Sequence, residues 1–375
     1  MHNLDRLPTR LSTLLATLFA TLLATLLIGC STGPGAPTDE PQADSTLSET
    51  PAPTPQHQDG DWPTFRGNVE RTGTLAPLPM LDAPRLRWRF DTGGTVESSP
   101  TVSDGRLFVG SFNEHLFALD AASGEELWRF HVGALVRASP SVVDGVVFFG
   151  ADDDRFYALD AASGEERWRV ELGPGGEQSS PAVVGDRVIF GAFDHHVYAV
   201  HRVTGEVLWR APTGGGILSS PAVADGRVFI GSIDGKLHAF DLETGEAQWT
   251  FATGEPIFAS PAVVDGTVFI SSYDDRVYAL RAADGSKLWE HATGGDVFSS
   301  PVVFDSTVYV GSDDGNLYAL DAATGAVRWQ RNLDGRVLAS PAVLPDGIYI
   351  GSSDGYLYAL SRTDGEVLWR FEVGD

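Results

Sequence analysis

The sequence predicts an all-β protein, a β-propeller of four-stranded antiparallel blades. Three observations carry this. Tryptophan recurs at Trp88, Trp128, Trp168, Trp209, Trp249, Trp289, Trp329 and Trp369, at steps of 40 residues with one step of 41. A Ser-Pro pair recurs in phase, ending at Pro100, Pro140, Pro181, Pro221, Pro261, Pro301 and Pro341. Between these markers, short apolar runs alternate with turn residues and no helical period is present. Self-similarity at this period belongs to repeat folds, and four short strands per unit make one propeller blade. A β-solenoid has shorter coils and lacks four hairpin-linked strands.

Residues 299–331 show the unit in full. Ser-Ser-Pro-Val-Val-Phe reads as a first strand, with proline suited to its start. Asp305-Ser306 stands where other copies carry Asp-Gly (Asp104-Gly105, Asp144-Gly145, Asp225-Gly226, Asp265-Gly266). Two-residue hairpin turns need positive φ, which these residues tolerate. Thr-Val-Tyr-Val-Gly-Ser is the second strand and Asn-Leu-Tyr-Ala-Leu-Asp the third; Thr324-Gly325 then turns the chain into Ala-Val-Arg-Trp-Gln-Arg, the fourth. The eight repeat tryptophans are expected to fill the gaps between blades. Each buries roughly 150–250 Å², an upper bound of roughly 4–6 kcal/mol at about 25 cal/mol/Å².

Seven complete modules run from near Ser98 to near Val373, preceded by a lone fourth-type strand around Trp88. That strand fits either a partial eighth blade or a brace on the seventh. The reading favours eight blades over seven.

Before the ring stand two further segments. Residues 1–30 have the form of a signal peptide: Arg6 and Arg10, an apolar run over 11–28, then Leu27-Ile28-Gly29-Cys30, a lipobox whose Cys30 would be lipidated. An uncleaved membrane anchor is the alternative, since about 18 apolar residues could span a bilayer. Residues 31–60 are rich in Pro, Ser, Thr, Gly and acidic side chains, a composition that cannot bury enough surface to fold and predicts a disordered tether. The domain proper is expected over 61–375, outside the cytoplasm and held to a membrane through Cys30.

Composition narrows the function. The 375-residue chain carries a net charge of −25, and residues 61–375 hold 24 basic against 45 acidic residues. That argues against nucleic acid and against an anionic lipid surface as the docking partner. Cys30 is the single cysteine, so the domain has neither a disulfide nor a cysteine-based metal site.

Asp61-Trp62-Pro63-Thr64-Phe65-Arg66-Gly67-Asn68 with Arg71-Thr72-Gly73, followed by tandem Ser-Pro-x-Val-x-Asp-Gly and Leu-Tyr-Ala-Leu-Asp-x-x-x-Gly-x-x-x-Trp, resembles the pyrroloquinoline-quinone-like repeat β-propellers over residues 61–375. That family contains quinoprotein alcohol dehydrogenases and non-enzymatic members, among them the BamB-like lipoproteins of outer-membrane protein assembly. The lipobox makes the BamB-like members the closer analogy. The dehydrogenases' vicinal disulfide has no counterpart here, and their cation-bound quinone and aspartate base cannot be matched to particular residues. No Gly-x-Ser-x-Gly, His-Glu-x-x-His or phosphate loop is present. Neither a cofactor nor a metal is expected.

In a propeller, the blade-joining loops and the loops between second and third strands share one face. The blade-joining positions are apolar where solvated loops would be polar: Leu135, Ile217, Ile257, Phe258, Phe298 and Leu338, with Arg137 among them. They are candidates for a partner-binding face, or else line the funnel and pack on one another. Tyr273 joins the candidate face. The acidic turns on the same side read as turn chemistry rather than Ca²⁺ ligands, because Asp recurs at one register position.

The sequence thus predicts a lipid-anchored, extracytoplasmic, monomeric propeller. Its expected role is a non-catalytic scaffold for an envelope protein complex, at the periplasmic face of the outer membrane in a diderm host and at the cell surface otherwise. The alternatives are a small-ligand or polysaccharide-binding module, with Tyr273 and Tyr356 as contacts, and a quinoprotein dehydrogenase.

Overall fold

The computed structural model describes residues 63–73, 84–176, 179–345 and 347–373. The predicted signal segment, Cys30 and the tether lie outside these residues.

Among the described residues, twenty-eight strands form seven four-stranded sheets, each meandering in chain order. In the first blade, β1 (Thr101–Ser103), β2 (Arg106–Gly110), β3 (His115–Asp120) and β4 (Glu126–His131) pair successively and antiparallel. The predicted hairpins form as two-residue turns with both central φ values positive, for example Asp104 at 49° and Gly105 at 71°, or Asp305 at 50° and Ser306 at 57°. The third and fourth strands slip register at one point in every described blade. In the first, Ala118 pairs with Trp128 while Leu119 pairs with Glu126, so Leu127 is bulged out. The bulge explains the solvent-exposed Leu127, Leu208, Leu288 and Leu368, each just before a repeat tryptophan.

The core is a set of inter-blade layers. Each repeat tryptophan from Trp88 to Trp329 reaches across to the next blade and donates its indole N–H to a turn carbonyl there. Trp88 bonds Ala121 at 3.2 Å, Trp209 bonds Leu242 at 3.0 Å and Trp329 bonds Arg362 at 2.9 Å. The ring lies over a glycine of that turn. At Gly325 the φ is +73° and an added Cβ would stand 2.6 Å from Trp289, so Gly is required for both conformation and space. Trp209 and Trp289 are buried, and the other repeat tryptophans are half-buried against the blades.

A second belt lies near the axis. The backbone N–H of the serine before each proline donates to the matching serine hydroxyl one blade on: Ser99 to Ser139, Ser139 to Ser180, Ser180 to Ser220, Ser220 to Ser260, Ser260 to Ser300 and Ser300 to Ser340. These bonds join all seven blades. Among the described residues none returns from Ser340 to Ser99.

Complete blades therefore number seven, which corrects the preference for eight. Residues 84–90 carry the fourth-strand pattern but belong to no ladder. Trp88 and Phe90 nevertheless pack on the open side of the first blade with Val96, where a preceding blade's fourth strand would sit. The structure holds that one strand-like segment at the seam, without a described ladder partner.

Candidate functional site

Residues 63–73, the non-repetitive motif ahead of the ring, lie across its axis. The innermost strand of each blade has an unpaired edge facing the axis, and these residues satisfy four of those edges. Val142, Val223, Val263 and Val343 donate backbone N–H groups to the carbonyls of Pro63, Val69, Glu70 and Gly73, at 2.7, 2.8, 3.0 and 3.1 Å. Gly73 has φ +69°, and a Cβ there would stand 2.7 Å from Val302.

Two arginines anchor this hub. Arg71 is fully buried. Its Nε donates to Pro221 O at 3.0 Å, Nη1 to Thr64 Oγ1 at 2.9 Å and to Phe65 O, and Nη2 to Ser180 O and Pro181 O at 2.9 Å each. Arg66 donates to Ser260 O at 3.3 Å and to Pro301 O. Thr64 Oγ1 and Ser141 Oγ lie 2.6 Å apart. Burial, and for Arg66 the neighbouring Arg71 charge, pushes both guanidinium pKa values down to about 9, so both stay charged at neutral pH. Carbonyl dipoles from the third to the sixth blades offset the burial. Residues 63–73 thereby tie the second to the seventh blades together at their inner strands.

The face bearing the blade-joining loops holds the predicted contact residues. Ile217 and Ile257 are fully buried, as are their counterparts Val136 and Val337. Each lies over a second-strand glycine: an added Cβ at Gly191 would meet Ile217 at 2.2 Å, and at Gly231 it would meet Ile257 at 2.3 Å. Leu338 and Phe258 are also buried. Leu135, Arg137, Tyr273 and Phe298 are half-buried and reach the surface. Phe258, Tyr273 and Phe298 form one cluster, with ring centroids 4.8 Å (258–273), 5.8 Å (258–298) and 6.3 Å (273–298) apart. Burial, then the charges of Asp313 and Asp296, pushes the Tyr273 hydroxyl up to about 12. Arg137 is held between Glu97 Oε2 at 2.9 Å and Asp152 Oδ2 at 3.0 Å, with its guanidinium 4.4 Å from the Phe112 ring centroid. It clasps the first two blades together. Burial raises the Glu97 and Asp152 carboxyls, and Arg137 opposes it. Tyr356 is stacked by Arg370, 4.5 Å from its centroid.

The acidic turns have partners that the sequence reading missed. Asp194, Asp274 and Asp314 accept from the tyrosine hydroxyl four residues on, at 2.6, 2.6 and 2.5 Å. Asp234 pairs with His238 at 3.0 Å. The same carboxylates accept a backbone N–H from the preceding blade: Gly173 to Asp194 at 3.0 Å, Gly214 to Asp234 at 2.9 Å, Gly254 to Asp274 at 2.7 Å and Gly294 to Asp314 at 2.9 Å. The Asp-x-x-x-Tyr spacing was the available signal. Among the described residues no His, Cys, Asp and Glu side chains gather as a metal-binding group. The one cysteine of the sequence, Cys30, lies outside the described residues, so these residues offer no vicinal disulfide to back a quinone.

The family profile described as outer membrane protein assembly factor BamB matches residues 79–213, 193–301 and 292–375. The chain belongs to the BamB family. Among solved structures, BamB from Moraxella catarrhalis is 21% identical, with a TM-score of 0.64 over 74% of this chain and 88% of that one. The computationally designed protein Ika8 is 18% identical, with a TM-score of 0.66 over 75% and 88%. A europium-containing methanol dehydrogenase is 15% identical, with a TM-score of 0.72 over 85% and 86%. At these identities the structures show a shared propeller fold. No curated protein sequence matches the chain.

Proposed function

We propose that this BamB-family propeller is a lipid-anchored, extracytoplasmic scaffold that acts without catalysis and docks an envelope protein complex on its blade-joining face. One observation carries the reading. The chain's own residues 63–73, anchored by Arg66 and Arg71, occupy inner strand edges of the ring, which favours the loop face as the place of recognition. There the half-buried Leu135, Arg137, Tyr273 and Phe298 offer apolar and aromatic surface over a rigid base of buried Ile217, Ile257, Phe258 and Leu338. Aromatic residues on a packed support are the usual anchors of protein interfaces. The lipobox at Cys30 supports the anchoring, and family membership supports the envelope setting.

The test is capture of membrane proteins by the full-length chain and by a Leu135→Asp, Phe298→Asp variant. The reading expects a defined partner lost from the variant while its thermal unfolding stays cooperative. Equal capture by both would remove the face assignment. The quinoprotein reading draws on the methanol dehydrogenase fold match alone. It expects saturable quinone binding in the presence of Ca²⁺, with alcohol-dependent dye reduction.

A further inference from the structure

We infer that Arg85, Arg87 and Arg89 form a docking strip for anionic phospholipid headgroups. The inference rests on the anchored reading proposed above for its occupant and on the structure for its geometry. Residues 84–90 lie outside any ladder, with Trp88 and Phe90 packed against the first blade. Arg85, Leu86, Arg87 and Arg89 are all exposed, while Trp88 and Phe90 pack on the blade.

No complete blade repeats this pattern. Three before, one before and one after the tryptophan, the first blade has Glu125, Leu127 and Arg129, and the second Glu165, Arg167 and Arg169. Those arginines are paired: Arg129 with Glu126 at 3.0 Å, Arg167 with Asp160 at 2.7 Å and Arg169 with Glu166 at 3.5 Å. Among the described residues, Arg85, Arg87 and Arg89 have neither an ion pair nor a side-chain hydrogen bond.

Three arginines within five residues, with no partner among the described residues, stand out on a chain of net charge −25. At physiological salt, charges more than about 8 Å away are largely screened, so the strip can attract anions although the whole molecule repels them. The charge argument against anionic lipid, made on the net value, does not hold at this seam. Leu86 lies among the arginines and is 64% exposed. Exposed apolar surface among basic residues suits the headgroup boundary of a bilayer. The occupant follows from charge complementarity: a run of cations beside an exposed leucine matches an anionic headgroup layer, which the anchored reading brings to the molecule.

The test uses the full chain, with Leu86→Cys carrying an environment-sensitive dye, in nanodiscs of phosphatidylcholine alone or mixed with phosphatidylglycerol. The expected result is a blue shift and quenching by lipid-borne nitroxide in the phosphatidylglycerol discs only, weakened by salt. Arg85→Gln, Arg87→Gln and Arg89→Gln should each lower apparent partition about fivefold, and together about 100-fold, with thermal unfolding unchanged. An identical dye response in both disc types, or in the triple variant, overturns the proposal. A shift that instead rises with protein concentration in detergent overturns it in favour of a second copy. Mass spectrometry of Cys30 reads the anchor separately. If the chain is unlipidated, co-sedimentation with phosphatidylglycerol vesicles, with and without the three substitutions, still decides the strip.

Discussion

Replacing Arg71 with methionine removes five donated hydrogen bonds at the hub while nearly keeping side-chain length. The residue is fully buried, and its guanidinium bonds Thr64, Phe65, Ser180, Pro181 and Pro221. Hydrogen bonds from a charged donor contribute about 1.5–3 kcal/mol each, and desolvation of the buried cation opposes them by several kcal/mol. The variant escapes that desolvation but leaves buried carbonyls unpaired at about 1–3 kcal/mol each. The net loss is about 3–5 kcal/mol, the cost of leaving two or three of these buried acceptors unpaired. At about 2–4 °C per kcal/mol for a large domain, the unfolding temperature should fall by roughly 6–20 °C. Calorimetry at neutral pH reads this directly, and limited proteolysis should show earlier cleavage within 63–73. Arg71→Lys should recover little, because one ammonium cannot reach carbonyls on two blades with the geometry of a planar fork. An Arg71→Met protein that unfolds at the parent temperature and resists protease equally would refute the hub as a stabilising element.

Three further outcomes follow from the same geometry. Gly325→Ala should destabilise by about 2–4 kcal/mol, from positive φ plus contact with Trp289. Gly226→Ala, with similar φ but open space around its Cβ, should cost only about 1–2 kcal/mol; denaturant midpoints compare the two. Trp289→Phe should lose about 1–2 kcal/mol with the 2.9 Å bond to Ala322, and Trp289→Ala about 3–5 kcal/mol. In NMR titration, Asp160 and Asp321, held down to about 2 by hydrogen bonds from Arg167 and Arg328, should stay ionised well below the ordinary aspartate value of 3.8. Their folded values are depressed, so any stability they contribute is complete above that value and fades as pH falls towards 2. Glu97 and Asp152, raised by burial, should titrate above their ordinary values, with the opposite sign: their contribution fades as pH rises through that range.

The blades were legible because every structural need repeats. Asp104-Gly105 and its copies announce the positive-φ turns, and tryptophan at a 40-residue period announces the inter-blade layers. The hub was not legible. Arg66 and Arg71 have partners as far away as Pro301 and Pro221, in blades that do not vary in sequence to mark the contact. The candidate face was half legible. Its apolar character is plain in sequence, but Ile217 and Ile257 pack on Gly191 and Gly231, and the glycine at or next to the end of every second strand but the fifth was the overlooked sign. Blade number turned on whether the Trp88 strand had partners, which is a matter of pairing and not of pattern.

The measurement that tests the scaffold account most directly is in-membrane crosslinking of the full-length chain followed by mass spectrometry. The account predicts a defined envelope partner in stoichiometric yield, with crosslinks concentrated at the loops around residues 135–137, 273 and 298. Recovery of no partner above background, together with saturable quinone binding by the purified chain, would contradict it.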